Sequence, residues 1–246
     1  MNPTKTTGNK TRRKRKVRRE LPNRLFAIPN ADKQNHEKWF PGRKILNFPH
    51  PYRGVLLGPP HTGKSTTMKH IVMHAYPEFE EVIIIHCDGD YTNEYKDLGD
   101  QVQMLDRIPD PQEWEGQVKT LVLIDDIEFK VLSKQQKSNL NRLFGYVSTH
   151  KNISVLLSAQ DPFNVPPCVR RCSNLFVLYK CVDTDSLSTL SRKVGFDAKV
   201  LNHLFRTVLP VHGDSLWIDL TIRSPCPYRK NGFDDITNYV NRLLCK

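Results

Sequence analysis

The sequence predicts an α/β domain with a central, mainly parallel sheet and helices on both of its faces. Three observations carry that expectation. Short, continuously apolar runs recur along the chain, several of them β-branched; helical patterns alternate with them; and the first run leads into a glycine-containing loop that opens a helix. A continuously apolar run suits a strand covered on both sides, whereas a strand with one wet face alternates apolar and polar residues. Alternation of strands and helices argues for a doubly wound sheet.

Taken in order, Val55–Leu57, Val82–His86, Val102–Leu105, Leu121–Ile124, Ile153–Ser158 and Leu175–Tyr179 read as strands, with Lys64–His74 and Ser133–Val147 as helices between them. Ser186–Val194 and Ala198–Thr207 follow as helical patterns, and Ser215–Thr221 alternates like a half-buried strand. Asp234–Leu244 places Ile236, Val240, Leu243 and Leu244 on one helix face, which docks on its own core or on a second subunit. The expected organisation is a basic arm at 1–20, an irregular lead-in rich in Pro, Asn and aromatic residues at 21–52, and the domain with its C-terminal extension at 53–246. A chain of 246 residues, 38% of them hydrophobic, suffices for one sizeable core.

Charge is unevenly placed. Residues 1–20 hold nine Lys and Arg against the single acid Glu20, so +8 of the formal +11 lies in the arm. Near-contiguous cations from Arg12 to Arg19 suit a polyanion or an import receptor, with a merely solvated tail as the plainer alternative. No apolar run approaches a membrane span, and no apolar segment follows the basic start as a secretory signal would require. The expectation is a soluble intracellular protein without a membrane partner. Six cysteines include no C-x-x-C pair. Cys168 and Cys172 with His203 or His212 have poor spacing for zinc, and reduced thiols are the better reading.

Chemistry concentrates in two motifs. Gly58-Pro59-Pro60-His61-Thr62-Gly63-Lys64-Ser65, followed by Thr66, fits G-x-x-x-x-G-K-[ST] between an apolar run and a helical pattern. Backbone N–H groups of such a loop cradle the phosphates of ATP, Lys64 neutralises β- and γ-phosphate charge, and the Ser65 hydroxyl takes a Mg²⁺ position. The run Leu121–Ile124 ends in Asp125-Asp126. A carboxylate at that strand edge, Asp125, suits Mg²⁺, and the next acid can polarise the attacking water. Asp126 is the candidate, with Glu128 as competitor. Val82–His86 lies between the two motifs in the chain and is expected as an inserted strand of the kind that separates motor-type ATPases from nucleotide kinases and GTPases. The run Ile153–Ser158 leads to Gln160, whose amide can sense the γ-phosphate or orient water. Arg170 and Arg171 follow a loop holding Pro162, Pro166 and Pro167; they either stabilise transition-state charge in a neighbouring subunit or pair with surface acids.

In this order, the glycine loop, the Asp-Asp strand, NISVLLSAQ, PPCVRRCSNLFVLYK, SLWIDLT and CPYRKNGF resemble the DNA-packaging ATPases of poxviruses, giant viruses, virophages and polinton-like elements. These belong to the FtsK–HerA branch of P-loop motors. The resemblance implies a RecA-like fold of the ASCE type, ATP and Mg²⁺, a ring-shaped homo-oligomer and translocation of double-stranded DNA into a capsid through a portal vertex. It also implies residence in the host nucleus or viral factory, and in the virion. The family's glutamine falls on Gln160, and an arginine of its downstream stretch falls on Arg170 or Arg171. Many members carry Arg-His just before the glutamine-terminated strand; here the pair is Thr149-His150, so Arg142, Lys151 or the Arg170/Arg171 pair would have to serve. Two other classes share the core. A helicase or coupling-type translocase usually carries further domains, and a nucleotide kinase needs an arginine-rich lid and has no use for Gln160.

Overall fold

A computed structural model describes residues 48, 50–75, 78–86, 95, 98, 102–180, 183–221, 224 and 226–245. The basic arm and most of the lead-in lie outside the described residues, as do Cys87 and Cys181.

Nine described strands form one sheet: β1 (Arg53–Leu57), β2 (Glu81–His86), β3 (Val102–Leu105), β4 (Thr120–Asp125), β5 (Ile153–Ala159), β6 (Leu175–Tyr179), β7 (Ser215–Asp219), β8 (Tyr228–Lys230) and β9 (Asp234–Asp235). Their order is β3-β2-β4-β5-β1-β6-β7-β8-β9. Every pairing from β3 across to β6 is parallel, and those from β6 to β9 are antiparallel. The described α-helices are α1 (Lys64–His74), α2 (Lys134–Arg142), α3 (Ser148–His150), α4 (Pro167–Cys172), α5 (Thr184–Val194), α6 (Ala198–Thr207) and α7 (Thr237–Leu244).

The central strands are continuously apolar because successive side chains enter two different cores. On one face Leu56, Ile84, Leu123 and Leu156 pack with Met68 and Ile71 of α1. On the other, Val55, Ile85, Val122 and Leu157 pack with Leu140 of α2, Val169 of α4 and Leu201 of α6. The sheet is therefore covered by helices on both faces, as the apolar runs predict.

Four expectations need correction. The strand that stands between β1 and β4 is β5; Val82–His86 pairs with the far edge of β4 instead. Strand order is set by which loops cross over, and that is invisible in chain order. The helix expected over Ser133–Val147 starts at Lys134, with the Ser133 hydroxyl accepting from Gln136 N at 3.2 Å. It then widens into a π-helical turn at Leu143–Val147 before α3. Leu143, Phe144 and Val147 are all buried there, and the guanidinium of Arg53 donates to the Phe144 carbonyl at 3.3 Å. Helical continuation gives way locally so that three apolar side chains reach one core.

Arg170 and Arg171, which follow the proline loop, lie on α4, whose first turn takes Pro167, where the missing N–H costs nothing. The last helix begins at Thr237, since Asp234 and Asp235 pair with Lys230 and Arg229 and the Asp235 carboxylate accepts from Thr237 N at 2.8 Å. The preceding turn has Asn231 and Gly232 at φ 51° and 81°, with Phe233 N donating to Lys230 O. This is the primed hairpin turn that Asn-Gly favours. Ser215–Thr221 is a strand only to Asp219, whose carboxylate accepts from Thr221 N and Ser224 Oγ and so closes a turn. Phe48 stacks on Trp217 with centroids 5.6 Å apart, so the described end of the lead-in rests on the antiparallel edge.

Candidate nucleotide site

The glycine loop joins the C-terminal end of β1 to α1. Gly58 is buried, and a Cβ there would lie 2.5 Å from Tyr179 Cβ, so no larger residue fits. Gly63 has φ 92°, a left-handed conformation that costs glycine nothing, and its carbonyl accepts from Thr67 N at 2.9 Å to start the helix. The loop is braced from several directions. Thr62 Oγ1 donates to Pro59 O at 2.8 Å. The Tyr179 hydroxyl, from the end of β6, donates to Gly63 O at 3.1 Å and is hydrogen-bonded to the Thr67 hydroxyl. Burial raises the Tyr179 phenol above its ordinary range, with the Thr67 bond opposing, so it stays a neutral donor. His212 reaches the loop from outside, its Nε2–H donating to His61 O at 2.9 Å.

Lys64 Nζ donates to Gly58 O and Pro59 O, each at 2.8 Å. Burial lowers its pKa, while Asp125 and Asp126 pull it back up. The ammonium therefore spans the mouth of its own loop within the field of both acids. Pro59, Pro60 and His61 are exposed, and Ser65 and Thr66 are half-buried at the start of α1.

Asp125 closes β4 and is buried; its two carboxylate oxygens accept from the hydroxyls of Ser158 and Tyr95. Asp126 turns out of the strand at φ 49°, with its N–H held by Ser158 Oγ at 3.2 Å. A short polar side chain tolerates that left-handed bend, and the bend leaves Asp126 exposed beside Gln160, whose Nε2 donates to Asp126 Oδ1 at 3.2 Å. Insertion of β5 between β1 and β4 is what brings Gln160 to the acid pair. Beyond them lies a hollow of about 390 Å³ lined by Asp126, Glu128, Lys130, Ser158, Gln160 and Asn164.

The structure thus gathers the loop 58–65, Asp125, Asp126 and Gln160 at the C-terminal edge of the sheet, where open parallel sheets bind ligands. It does not bring in the arginine pair. Arg170 donates from α4 to Pro162 O in the preceding loop at 3.2 Å, and Arg171 is exposed on the same helix. Sequence reasoning missed Tyr95, Tyr179 and His212, which are distant in the chain. Ser158 carried a signal, as a polar residue near the end of an otherwise largely apolar strand. No group of three or more His, Cys, Asp or Glu residues suited to a metal occurs among the described residues.

A glycine loop holding a lysine, an acid-terminated strand and a glutamine between them define a P-loop ATPase. Residues 55–180 match the model of the ATPase family associated with various cellular activities (AAA), and the chain belongs to that family. No curated protein matches it by sequence. Among solved structures, the genome-packaging NTPase B204 of Sulfolobus turreted icosahedral virus 2, bound to AMPPCP, superposes with TM-score 0.54 at 16% identity. That match covers 73% of this chain and 96% of the viral one. B204 of Sulfolobus turreted icosahedral virus, described as a DNA-packaging ATPase, gives TM-score 0.54 at 15% identity over 74% and 98%. The cytoplasmic domain of the type VII secretion ATPase EccC from Thermomonospora curvata gives 0.51 at 11% identity over 75% of this chain and 25% of that one. At such identities the likeness is one of fold.

Proposed function

We propose that this ATPase is a motor that moves double-stranded DNA, and that its task is loading a viral genome into a capsid. The observation that carries the reading is the extent of the fold match, which takes in 96% of a viral genome-packaging NTPase. The basic arm supports it, since +8 of charge in twenty residues suits a phosphate backbone. In this reading the N–H groups of residues 58–66 and the Lys64 ammonium hold the triphosphate. Asp126, oriented by Gln160, polarises the attacking water, with Glu128 in the same hollow as the alternative base.

Ser65 and Asp125 suit Mg²⁺, which takes oxygen donors and keeps several waters. The two carboxylate oxygens of Asp125 each accept one hydroxyl and retain a lone pair for a metal-bound water. When bound, Mg²⁺ would neutralise charge on the β- and γ-phosphates. Arg170 and Arg171, away from the chain's own loop, are placed in the reading as donors to a neighbour's site in a homo-oligomeric ring. The capsid or portal vertex is the docking partner, and the host nucleus or viral factory, with the virion, the place of action.

A second reading, translocation of another polymer by the same core, is favoured by the fold match to a secretion ATPase. Polymer dependence separates the two. Hydrolysis should rise with long duplex DNA and stay flat with nucleosides or unfolded polypeptide. Deleting residues 1–20 should flatten the salt dependence of DNA affinity while basal hydrolysis persists, because each phosphate contact releases counterions. No stimulation by duplex DNA of any length would overturn the DNA-motor reading. An unchanged salt slope would reassign the arm to nuclear import, which a reporter fusion reads directly.

A further inference from the structure

We infer that His212 is a positioning residue for nucleotide binding, acting through the backbone of the phosphate loop from the connection that leads into the antiparallel part of the sheet. The inference rests on residues 58–65 being the phosphate cradle and is independent of what the motor moves.

His212 lies in the connection between α6 and β7, outside both motifs and more than a hundred residues from the loop it touches. Its Nε2 is 2.9 Å from His61 O, and because a carbonyl only accepts, the ring nitrogen must be the donor. His61 has φ 60°, in the left-handed region that a non-glycine residue rarely adopts. That backbone is strained unless its surroundings hold it. The His61–Thr62 peptide is trans, as only His50–Pro51 is cis among the described residues. In a trans peptide the C=O and the next N–H point in opposite directions. Holding His61 O outward against His212 therefore turns the Thr62 N–H back across the loop, where P-loop amides meet phosphate.

The connection is itself anchored. Asp214 accepts from Val211 N at 3.2 Å and Asn231 Nδ2 at 2.8 Å, and pairs with Lys230 Nζ at 3.0 Å. Asn231 Oδ1 in turn accepts from Ser215 N at 2.8 Å. Gly213, at φ 90°, makes the left-handed bend that a side chain would oppose, and it stands beside Thr62, with the nearest atom to its would-be Cβ being Thr62 O at 3.9 Å. A fixed support, a single aimed donor and a strained acceptor together amount to pre-organisation: the amide is oriented before phosphate arrives. The ring is exposed, so replacing it leaves the core packing intact.

The test uses the full chain, with ADP affinity measured by calorimetry and ATP turnover at steady state. His212→Ala should weaken ADP binding and raise KM for ATP about five-fold, the scale of one net hydrogen bond, with kcat within about two-fold. His212→Gln, whose amide nitrogen reaches about as far as Nε2, should restore both values, and the shorter His212→Asn should not. Unchanged ADP affinity in His212→Ala, or a Gln variant no better than Ala, overturns the inference. A fall in melting temperature without a change in affinity does so too, by making the contact purely structural. Lys64→Ala keeps the two levels apart: if it leaves ADP binding intact, the cradle reading itself fails, whatever His212 does.

Discussion

The two sides of the nucleotide site are built on opposite plans. On the cradle side Thr62, Gly63, Lys64 and Thr67 are already engaged, by Pro59 O, by the Tyr179 hydroxyl and by Gly58 O. On the other side Asp126, Glu128 and Gln160 are exposed around a hollow, with one 3.2 Å hydrogen bond between acid and amide. Holding a polyanion needs donors fixed in advance, because ordering them at the moment of binding costs affinity. Activating water needs an accessible carboxylate in a place that other groups still complete. The braced half therefore suits binding and the open half suits turnover.

Substitutions on the two sides should separate these roles. The largest effect is expected from Asp126→Asn, which should lower kcat by about 10² to 10⁴-fold while nucleotide binding persists, since only the base is lost. Near-normal turnover in that variant, together with a dead Glu128→Gln, would move the base to Glu128 and leave the comparison standing. Next comes Lys64→Ala, which should weaken ATP binding by about 100-fold, the range of hydrogen bonds to charged groups, and remove turnover with it. Intact binding would break the comparison, because the cradle would then not hold the phosphates. Tyr179→Phe should have the smallest effect. It strips a hydroxyl from Gly63 O and Thr67 Oγ1, and thermal melts should report a loss of about 1 to 3 kcal/mol alongside a several-fold weaker ADP affinity. A loss of stability with unchanged affinity would show the brace to be part of the core rather than of the cradle.

How much of this was legible in the sequence differs by element. The strands β1, β2, β4, β5 and β6 announce themselves because both faces are buried and their runs are largely apolar, whereas β3 is only partly buried and is interrupted by the exposed Gln103. The hairpin β8–β9 escaped, though Asn231-Gly232 marked its turn, because its strands are only three and two residues long and carry Arg, Lys and Asp. The π-helical turn left no periodic trace, since it answers to the packing of Leu143, Phe144 and Val147 and not to local propensity. Within the site, the loop 58–65 and Asp125-Asp126 were legible as motifs. Tyr95, Tyr179 and His212 were not, being ordinary residues until the fold places them.

By itself the sequence determined the class of fold and the phosphate loop, because apolar period and glycine placement are local properties that short-range sterics and burial translate directly into structure. Tertiary structure alone decided that β5 stands between β1 and β4, which delivers Gln160 to Asp126. It alone decided that Ser158 and Tyr95 hold Asp125, and that the connection into the antiparallel part of the sheet sends His212 back to the phosphate loop. These depend on contacts between residues far apart in the chain, whose partners are chosen by how loops cross over the sheet and by which buried polar groups must find one another.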